Sequence, residues 1–336
     1  MRAWQIENDD GIDALNLANV EIRDPGPNEV RFKVKASSLN RRDYNTVRAP
    51  SARNTPLPRI PNSDAAGEVI AVGTNVKEFR TGDRVASCFF KHWEGGRMRA
   101  ETMQTALGGA QEGMLSEEAI LPQTGLVSIP EHLSWEEAGT LTVAGVTAWN
   151  ALIVHGGLKA GDTVLVMGTG GVSIFALQFA KIMGAHVIIT SKSDEKLERA
   201  RELGADKTVN YADTPDWDEA IMDLTKGKGV DQVVEVGGPG TLQQSITATG
   251  FGGHIGMIGS LLLGDVNVHP LLRKSIRLSG IFAGSREMFR DMNNAISVNK
   301  MRPIVDRVFS FTDARAAYHA LGEDKHFGKL VIKLDS

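Results

Sequence analysis

The stretch VLVMGTGGVSIFALQFAKIMGA, residues 164–185, decides the fold. Its first four residues are apolar and largely β-branched, as in a buried strand, and Gly168-Thr169-Gly170-Gly171 then turn the chain. Beyond the turn Ala176, Phe179, Ala180 and Met183 fall at i, i+3, i+4 and i+7, one apolar face of a helix. The first amides of such a helix have no intrahelical acceptor, and with the helix dipole they favour an anion. Glycines without Cβ also let a pyrophosphate approach the backbone closely. Gly168, Thr169, Gly170, Gly171 and Val172 are therefore predicted to cradle a dinucleotide. Ser173 stands where a G-x-G-x-x-G fingerprint has its third glycine, and is expected to loosen the packing of helix on strand. A glycine turn by itself also serves as a plain tight connection, so its surroundings carry the argument.

Those surroundings favour a ligand. From about residue 131 to 283 strand-like and helix-like patterns alternate, the signature of a parallel sheet covered by helices. Strands are predicted near Val164 to Met167, Val187 to Thr190, Thr208 to Tyr211, Gln232 to Val236, His254 to Ile258 and Ile276 to Ile281. Thr214 before Pro215, and Gly204 after DEKLERAREL, punctuate the helices between them. Up to about residue 122 the texture is β-rich instead: EVRFKVKASS (29–38) alternates, and GEVIAVGTNVKEFRTGDRV (67–85) reads as strand, turns and strand. Residues Phe89 to Ser116, FFKHWEGGRMRAETMQTALGGAQEGMLS, mix glycines, charges and aromatics and are expected to form a mobile excursion over a site rather than packed structure.

Composition excludes several classes of function. The chain has 336 residues, 42% hydrophobic and 23% charged, enough for one large or two ordinary domains with real cores. A net charge of −4 gives no reason to expect nucleic acid or an anionic membrane surface, which call for a clustered basic face. One cysteine, Cys88, allows neither an internal disulfide nor a thiolate-rich zinc cluster and suits a reducing compartment. No signal core and no run of about 18 apolar residues is present, so the expected location is the cytoplasm. Nucleophile-elbow and phosphate-loop motifs are missing as well, which argues against hydrolases and kinases.

The choice of dinucleotide is read at the end of the second strand, where an acid grips the ribose of NAD. Here the chain reads Thr190-Ser191-Lys192-Ser193, without an acid. Hydroxyls and an ammonium suit a 2′-phosphate, so NADPH is expected in preference to NADH. The plainer reading of the same residues is a cap from Ser193 or Asp194 and a solvated Lys192. Tyr211 is placed beside the adenine, or simply packs at a strand end. The turns in EVGGPG and IGMIGS end the fourth and fifth strands, so Gly237, Gly238, Ile258 and Gly259 are expected to line the nicotinamide side.

Taken together, SLNRRDYN (38–45), PNSDAAGEVIAVG (61–73), GDRV (82–85), TAWNAL (147–152), GDTVLVMGTGGVS (161–173), ELGAD (202–206), GVDQVVEVGG (229–238), GIFAGSR (280–286) and HFGKLVI (326–332) occur in one order from end to end. In these pieces the chain resembles the medium-chain dehydrogenase/reductase superfamily, in its zinc-independent, quinone-oxidoreductase-like branch. The resemblance implies an α/β fold: a Rossmann doubly wound parallel sheet over 131–283, and a GroES-like, mostly β catalytic domain from 1–130 and 284–336, with the active site in the cleft. It also implies a homodimer, and coenzyme contacts from Phe282, Gly284 and Ser285 at the carboxamide end and from Arg286 to a phosphate.

Zinc-dependent members of that superfamily use Cys, His and Cys as catalytic ligands, and the resemblance places Asn40, Ser63 and Thr140 at those positions. None is a good zinc ligand, and the eight histidines are scattered, so no metal is expected. Without a Lewis acid the chemistry favours a small-molecule substrate whose carbonyl spreads charge by conjugation, a quinone or an α,β-unsaturated carbonyl. Asn40 is the first candidate donor to the developing oxyanion, or else a turn amide; Asp43 and Tyr44 are candidate proton relays, unless Asp43 merely pairs with Arg41 or Arg42. Phe90, Trp93 and Thr140 are the candidate substrate-binding residues, Phe90 and Trp93 as an apolar wall or as lid packing. Two alternatives stay open: a metal-free alcohol dehydrogenase or carbonyl reductase, and a non-catalytic NADPH-binding sensor.

Overall fold

The structure, a computed structural model, describes residues 1–259 and 264–334. Its strands in chain order are β1 (Arg2–Gln5), β2 (Asn16–Asn19), β3 (Glu29–Ser38), β4 (Ala66–Val72), β5 (Arg84–Ser87), β6 (Glu118–Pro122), β7 (Leu126–Ser128), β8 (Thr163–Met167), β9 (His186–Ser191), β10 (Lys207–Asn210), β11 (Val230–Glu235), β12 (Thr249–Met257), β13 (Arg277–Gly280), β14 (Val305–Ser310) and β15 (Lys329–Lys333). Two compact units result, Met1–Val146 joined by Gly284–Ser336, and Thr147–Ala283.

In the second unit β8 to β13 form one parallel sheet in the order β10-β9-β8-β11-β12-β13. The order reverses at β8, whose neighbours are β9 and β11, and ligands of doubly wound sheets bind at the carboxyl ends of strands flanking such a point. Val164, Leu165, Val166 and the facing Val187, Ile189, Val233 and Val234 are all buried, as expected of strands covered on both faces. Each such side chain contributes on the order of 1.5–3 kcal/mol on leaving water. The six expected strands are all present; β12 starts earlier than His254, at Thr249. Part of the IGMIGS turn, Ser260, lies outside the described residues.

The first unit holds a mostly antiparallel sheet, β14-β15-β3-β4-β5-β7, with β6 also paired to β3, and a small β1-β2 ladder. Alternation in β3 sends Val30, Phe32, Val34 and Ala36 inward. The C-terminal segment completes this sheet, because β15 pairs with β3 through Val331–Ser38, Ile332–Ser37 and Lys333–Ala36.

Two expectations need correction here. The boundary between units falls at Val146 rather than near residue 130, because the segment that follows β7, with the helix Trp135–Ala138, packs on β3, β4, β14 and β15 of the first unit. Phe89 to Ser116 is also packed rather than a mobile excursion. It contains a helical turn, Ala100–Met103, and bridges joining Phe90 to Ala106 and Leu107 to Gln111, and it buries Phe89, Phe90, Trp93, Leu107, Met114 and Leu115. Its glycines serve close packing: a Cβ on Gly113 would sit inside the van der Waals envelope of the carbonyl oxygens of Pro61 and Asn62.

Candidate active site: a phosphate cradle and a buried polar network

The cradle lies in the second unit. Gly168 follows β8 with φ of 69°, a left-handed conformation that glycine adopts freely, and Gly170 precedes the helix Gly171–Ile182. No atom lies within 4 Å of where a Cβ on Gly170 would stand, so there is open space at the turn that begins the helix, whose first amides have no intrahelical acceptor. Thr169 is buried beside them. These residues fit a dinucleotide phosphate. Ser173 does not loosen the unit as expected: its hydroxyl donates to the Met167 carbonyl at 2.7 Å and ties helix to strand.

At the end of β9, Ser191 is buried and accepts at Oγ from the Ser193 amide at 3.3 Å, while Ser193 caps the helix Asp194–Glu202 by accepting from the Lys196 amide at 3.4 Å. Lys192 is exposed between them, and Tyr211, also exposed, donates its amide to the Ser191 carbonyl at 3.1 Å. The capping and the cation-bearing readings of this turn therefore coexist, on different side chains.

The nicotinamide-side turns are joined by a residue the sequence did not single out. Glu235, fully buried at the end of β11, accepts at Oε1 from the amides of Gly237 (2.7 Å) and Gly238 (3.0 Å) and from Thr241 Oγ1 (2.8 Å). Its second oxygen takes the Ser245 hydroxyl. Its own carbonyl receives the amides of Ile258 (2.8 Å) and Gly259 (3.0 Å). Gly237, Gly238, Ile258 and Gly259 are thus brought together, with their donors spent on Glu235. Close to the end of this unit the amide of Asn150 donates to the Ala283 carbonyl at 2.7 Å and holds Ala283 at φ of 52°, next to the half-exposed Phe282.

The remaining expected coenzyme residues belong to the first unit. Ser285 caps the helix Arg286–Asn299 by accepting from the Met288 amide at 3.3 Å, and Gly284 packs against Val146. The expected role of Arg286 as a phosphate ligand is corrected: it is 1% exposed, its Nη2 lies 2.7 Å from Glu78 and its Nε donates to the Leu126 carbonyl at 2.7 Å. A buried guanidinium needs such partners, and at this exposure Arg286 is engaged within the protein rather than presented to an outside ligand.

Asn40, Asp43, Ser63, Asp64 and Lys329 form one buried network in the first unit. Asn40 precedes the helix Arg41–Arg48 as its N-cap, and Asp43 returns to accept from the Asn40 amide nitrogen of the backbone and from Nδ2, both at 3.0 Å. Arg42 lies 3.0 Å from the same carboxylate and also donates to the Leu107 and Gly108 carbonyls, which anchors the Phe89–Ser116 segment. Ser63 Oγ donates towards Asp43 and Asp64 at 3.3 Å each. Lys329 on β15 donates to Asn40 Oδ1 at 2.6 Å and to the Leu39 carbonyl at 2.7 Å, and lies 3.6 Å from Asp64. Burial pushes the Asp64 carboxyl up to about 6 against the pull of Lys329, and burial likewise holds the Lys329 ammonium below its ordinary range.

Other expected residues lie apart from this network. The Tyr44 hydroxyl is against Gly322, with Arg41 stacked on the ring at 5.3 Å, so it does not share the Asn40–Asp43 hydrogen bonds. Thr140 is buried and donates to the Glu137 carbonyl at 2.7 Å. Phe90 and Trp93 meet edge to face at 5.8 Å, and the Trp93 indole donates to the Gly96 carbonyl. Asp64, Lys329 and Glu235 escaped the sequence reading, because a charged residue in or beside a strand shows nothing of its partners. The only available signal was position: Lys329 opens KLVIK and Glu235 closes VDQVVE.

The network also tests whether zinc would fit. Asn40 Oδ1 is occupied by an ammonium, the Thr140 hydroxyl is donated to a carbonyl, and Ser63 is a poor ligand, so the residues present do not fit the ion. No group of three or more His, Cys, Asp or Glu suited to a metal occurs among the described residues. Among them, too, no helix is long and apolar enough to cross a membrane.

Comparison with known proteins agrees with this anatomy. Residues 26–131 match the family Alcohol dehydrogenase GroES-like domain, and residues 171–297 the family Zinc-binding dehydrogenase. A Schizosaccharomyces pombe relative named Zinc-type alcohol dehydrogenase-like protein C1773.06c is 41% identical over 97% of this chain and 96% of its own. The NADPH-dependent alkenal/one oxidoreductase of Arabidopsis thaliana chloroplasts is 28% identical over 99% of this chain and 79% of its own. Among solved structures, an NAD-dependent alcohol dehydrogenase superposes with a TM-score of 0.91 at 33% identity, covering all of both chains. The quinone oxidoreductase of Coxiella burnetii superposes with a TM-score of 0.81 at 28% identity, covering 100% of this chain and 99% of that one.

Proposed function

The chain belongs to the medium-chain dehydrogenase/reductase superfamily and is an NAD(P)H-dependent oxidoreductase, and within that class we propose that it is a zinc-independent, NADPH-preferring reductase of quinones or α,β-unsaturated carbonyls. The observation that carries this reading is the lysine-occupied network at Asn40, where a metal ligand set would have to stand. A reduced nicotinamide, when bound, supplies the hydride. The protein's own part is then alignment, water exclusion and a hydrogen bond to the oxygen that gains charge. Asn40 offers that bond from the second hydrogen of Nδ2, the first being held by Asp43. One amide hydrogen bond suffices more readily for an enolate or hydroquinone anion, whose charge is delocalised, than for a simple alkoxide.

The preference for NADPH is supported by the exposed Lys192 beside the buried Ser191, with no acid at the end of β9. A homodimer joined along β13 is supported by that strand's place at the sheet edge and by the exposure of Leu278, with Val268 and Leu272 on the segment leading into it. Sedimentation or light scattering of wild type and Leu278→Lys checks the assembly.

A second reading, alcohol or carbonyl chemistry without metal, is favoured by the likeness to the NAD-dependent alcohol dehydrogenase. The deciding experiment follows loss of reduced-nicotinamide absorbance with NADPH and NADH in parallel, across a quinone, an enone and an aldehyde, with chelator present. Chelator-resistant, NADPH-preferring turnover of quinone or enone is the expected result. Aldehyde turnover alone would favour the second reading, activity lost to chelator would overturn zinc independence, and tight NADPH binding without turnover would mean a sensor.

A further inference from the structure

Lys329 is 3% exposed by side chain, carries no part of the reaction as derived so far, and makes its two short bonds to the Leu39 carbonyl and to Asn40 Oδ1. An ammonium has only donors and a carboxylate only acceptors. Lys329 on one side and Asp43 on the other therefore leave a single orientation for the Asn40 amide: oxygen towards Nζ at 2.6 Å, nitrogen towards Asp43 at 3.0 Å. In that orientation the uncommitted hydrogen of Nδ2 is the one left for a ligand. A cation on the amide oxygen also draws charge along the group and strengthens its N–H as a donor.

We propose that Lys329 is a positioning residue for the reduction: through Asn40 Oδ1 it locks the amide and supplies the fixed positive charge that this site has in place of a metal ion. Asp64, fully buried at 3.6 Å, and Asp43 balance that charge, and Ser38, donating to Asp64 at 2.7 Å, fixes the balancing carboxylate. The inference rests on Asn40 being the donor to the reacting oxygen, and the two claims are separated by a double-mutant cycle.

The test uses the full chain, NADPH and 1,4-benzoquinone, with Lys329→Met, Asn40→Ala and the double variant, measuring kcat, the NADPH dissociation constant and the melting temperature of each. Asn40→Ala is expected to lower kcat by roughly a hundredfold, as loss of an oxyanion donor does. Lys329→Met is expected to lower kcat at least tenfold with NADPH affinity within about twofold, and to do nothing further once Asn40 is alanine. Removing the lysine leaves Asp64 buried without its cation, so Asp64→Asn with Lys329→Met carries the same test if the single variant does not fold; it must show the same loss of kcat. Undiminished kcat in the lysine variant, or an equal further loss in the Asn40→Ala background, would overturn the role of Lys329 while leaving Asn40 in place. Unchanged kcat in Asn40→Ala would overturn both.

Discussion

Oε1 of Glu235 stands 2.7 Å from the amide nitrogen of Gly237 and, through the backbone of the same residue, β11 also holds the turn that follows β12. The carboxylate is the one acceptor shared by the buried Gly238 and the part-buried Gly237 and Thr241. Glu235→Ala would leave those donors unpaired, at about 1–3 kcal/mol for each buried group. The expected outcome is a lower melting temperature and NADPH binding weakened by roughly tenfold or more, since the Gly237–Gly238 turn loses its anchor, while the turn after β12 keeps the Glu235 carbonyl. Glu235→Gln keeps an acceptor oxygen and should retain most of the affinity. Fluorescence titration with NADPH decides; an alanine variant that binds like wild type removes Glu235 from the site.

Ser173 permits a sharper test of how the phosphate cradle is built. Changing it to glycine would complete the usual fingerprint in sequence, yet it removes the 2.7 Å bond to the Met167 carbonyl and places glycine within a helix. The lost bond costs about 1 kcal/mol and the glycine about 1 kcal/mol more. Ser173→Gly is therefore expected to be less stable by roughly 2 kcal/mol, read by urea denaturation, with Ser173→Ala losing the first part only. A glycine variant as stable as wild type would show that the hydroxyl bond contributes nothing.

What was legible in the sequence and what was not divide along a physical line. The strand–glycine–helix stretch at 164–185 and the alternation of β3 are local patterns, and β8, the helix Gly171–Ile182 and β3 follow them closely. Arg286 misled because its meaning is set by Glu78 and Leu126, distant in sequence, which bury and pair it. Phe89 to Ser116 misled for a related reason: glycines that read as freedom are there because Gly113 passes under the carbonyls of residues 60–62. Lys329 was invisible until β15 paired with β3 and brought it to Asn40.

Lys192 is exposed and makes no hydrogen bond or ion pair among the described residues, so its removal should leave the fold alone. A charge-assisted bond to a phosphate is worth about 1.5–3 kcal/mol. Lys192→Ala is expected to weaken NADPH by at least about tenfold and NADH by less than twofold, measured by direct titration of both coenzymes. Equal weakening would refute the assignment of Lys192 to a 2′-phosphate.

His254 gives the fold a pH dependence of predictable sign. It sits on β12, 1% exposed, with Nε2 lacking a hydrogen-bond partner among the described residues, and burial, then Arg277 and His155, push its pKa from 6.5 down to about 4. The unfolded chain therefore takes up this proton first as the solution is acidified. Stability from a neutral His254 is full above pH 6.5 and falls as the pH drops towards 4, by up to about 1.4 kcal/mol per pH unit. Asp64 acts in the opposite sense: with a folded pKa near 6 against 3.8, it gains stability from protonation in the fold as the pH falls from 6 to 3.8. Carboxylates held low, such as Glu78 beside Arg286, lose stability only below their ordinary range. Melting temperatures between pH 6.5 and 4.5 should thus fall less steeply in His254→Gln than in wild type, because the opposing contribution of Asp64 is then less outweighed. Parallel slopes for the two proteins would mean that His254 is protonated alike in the folded and unfolded chains, and that its burial is not maintained in solution.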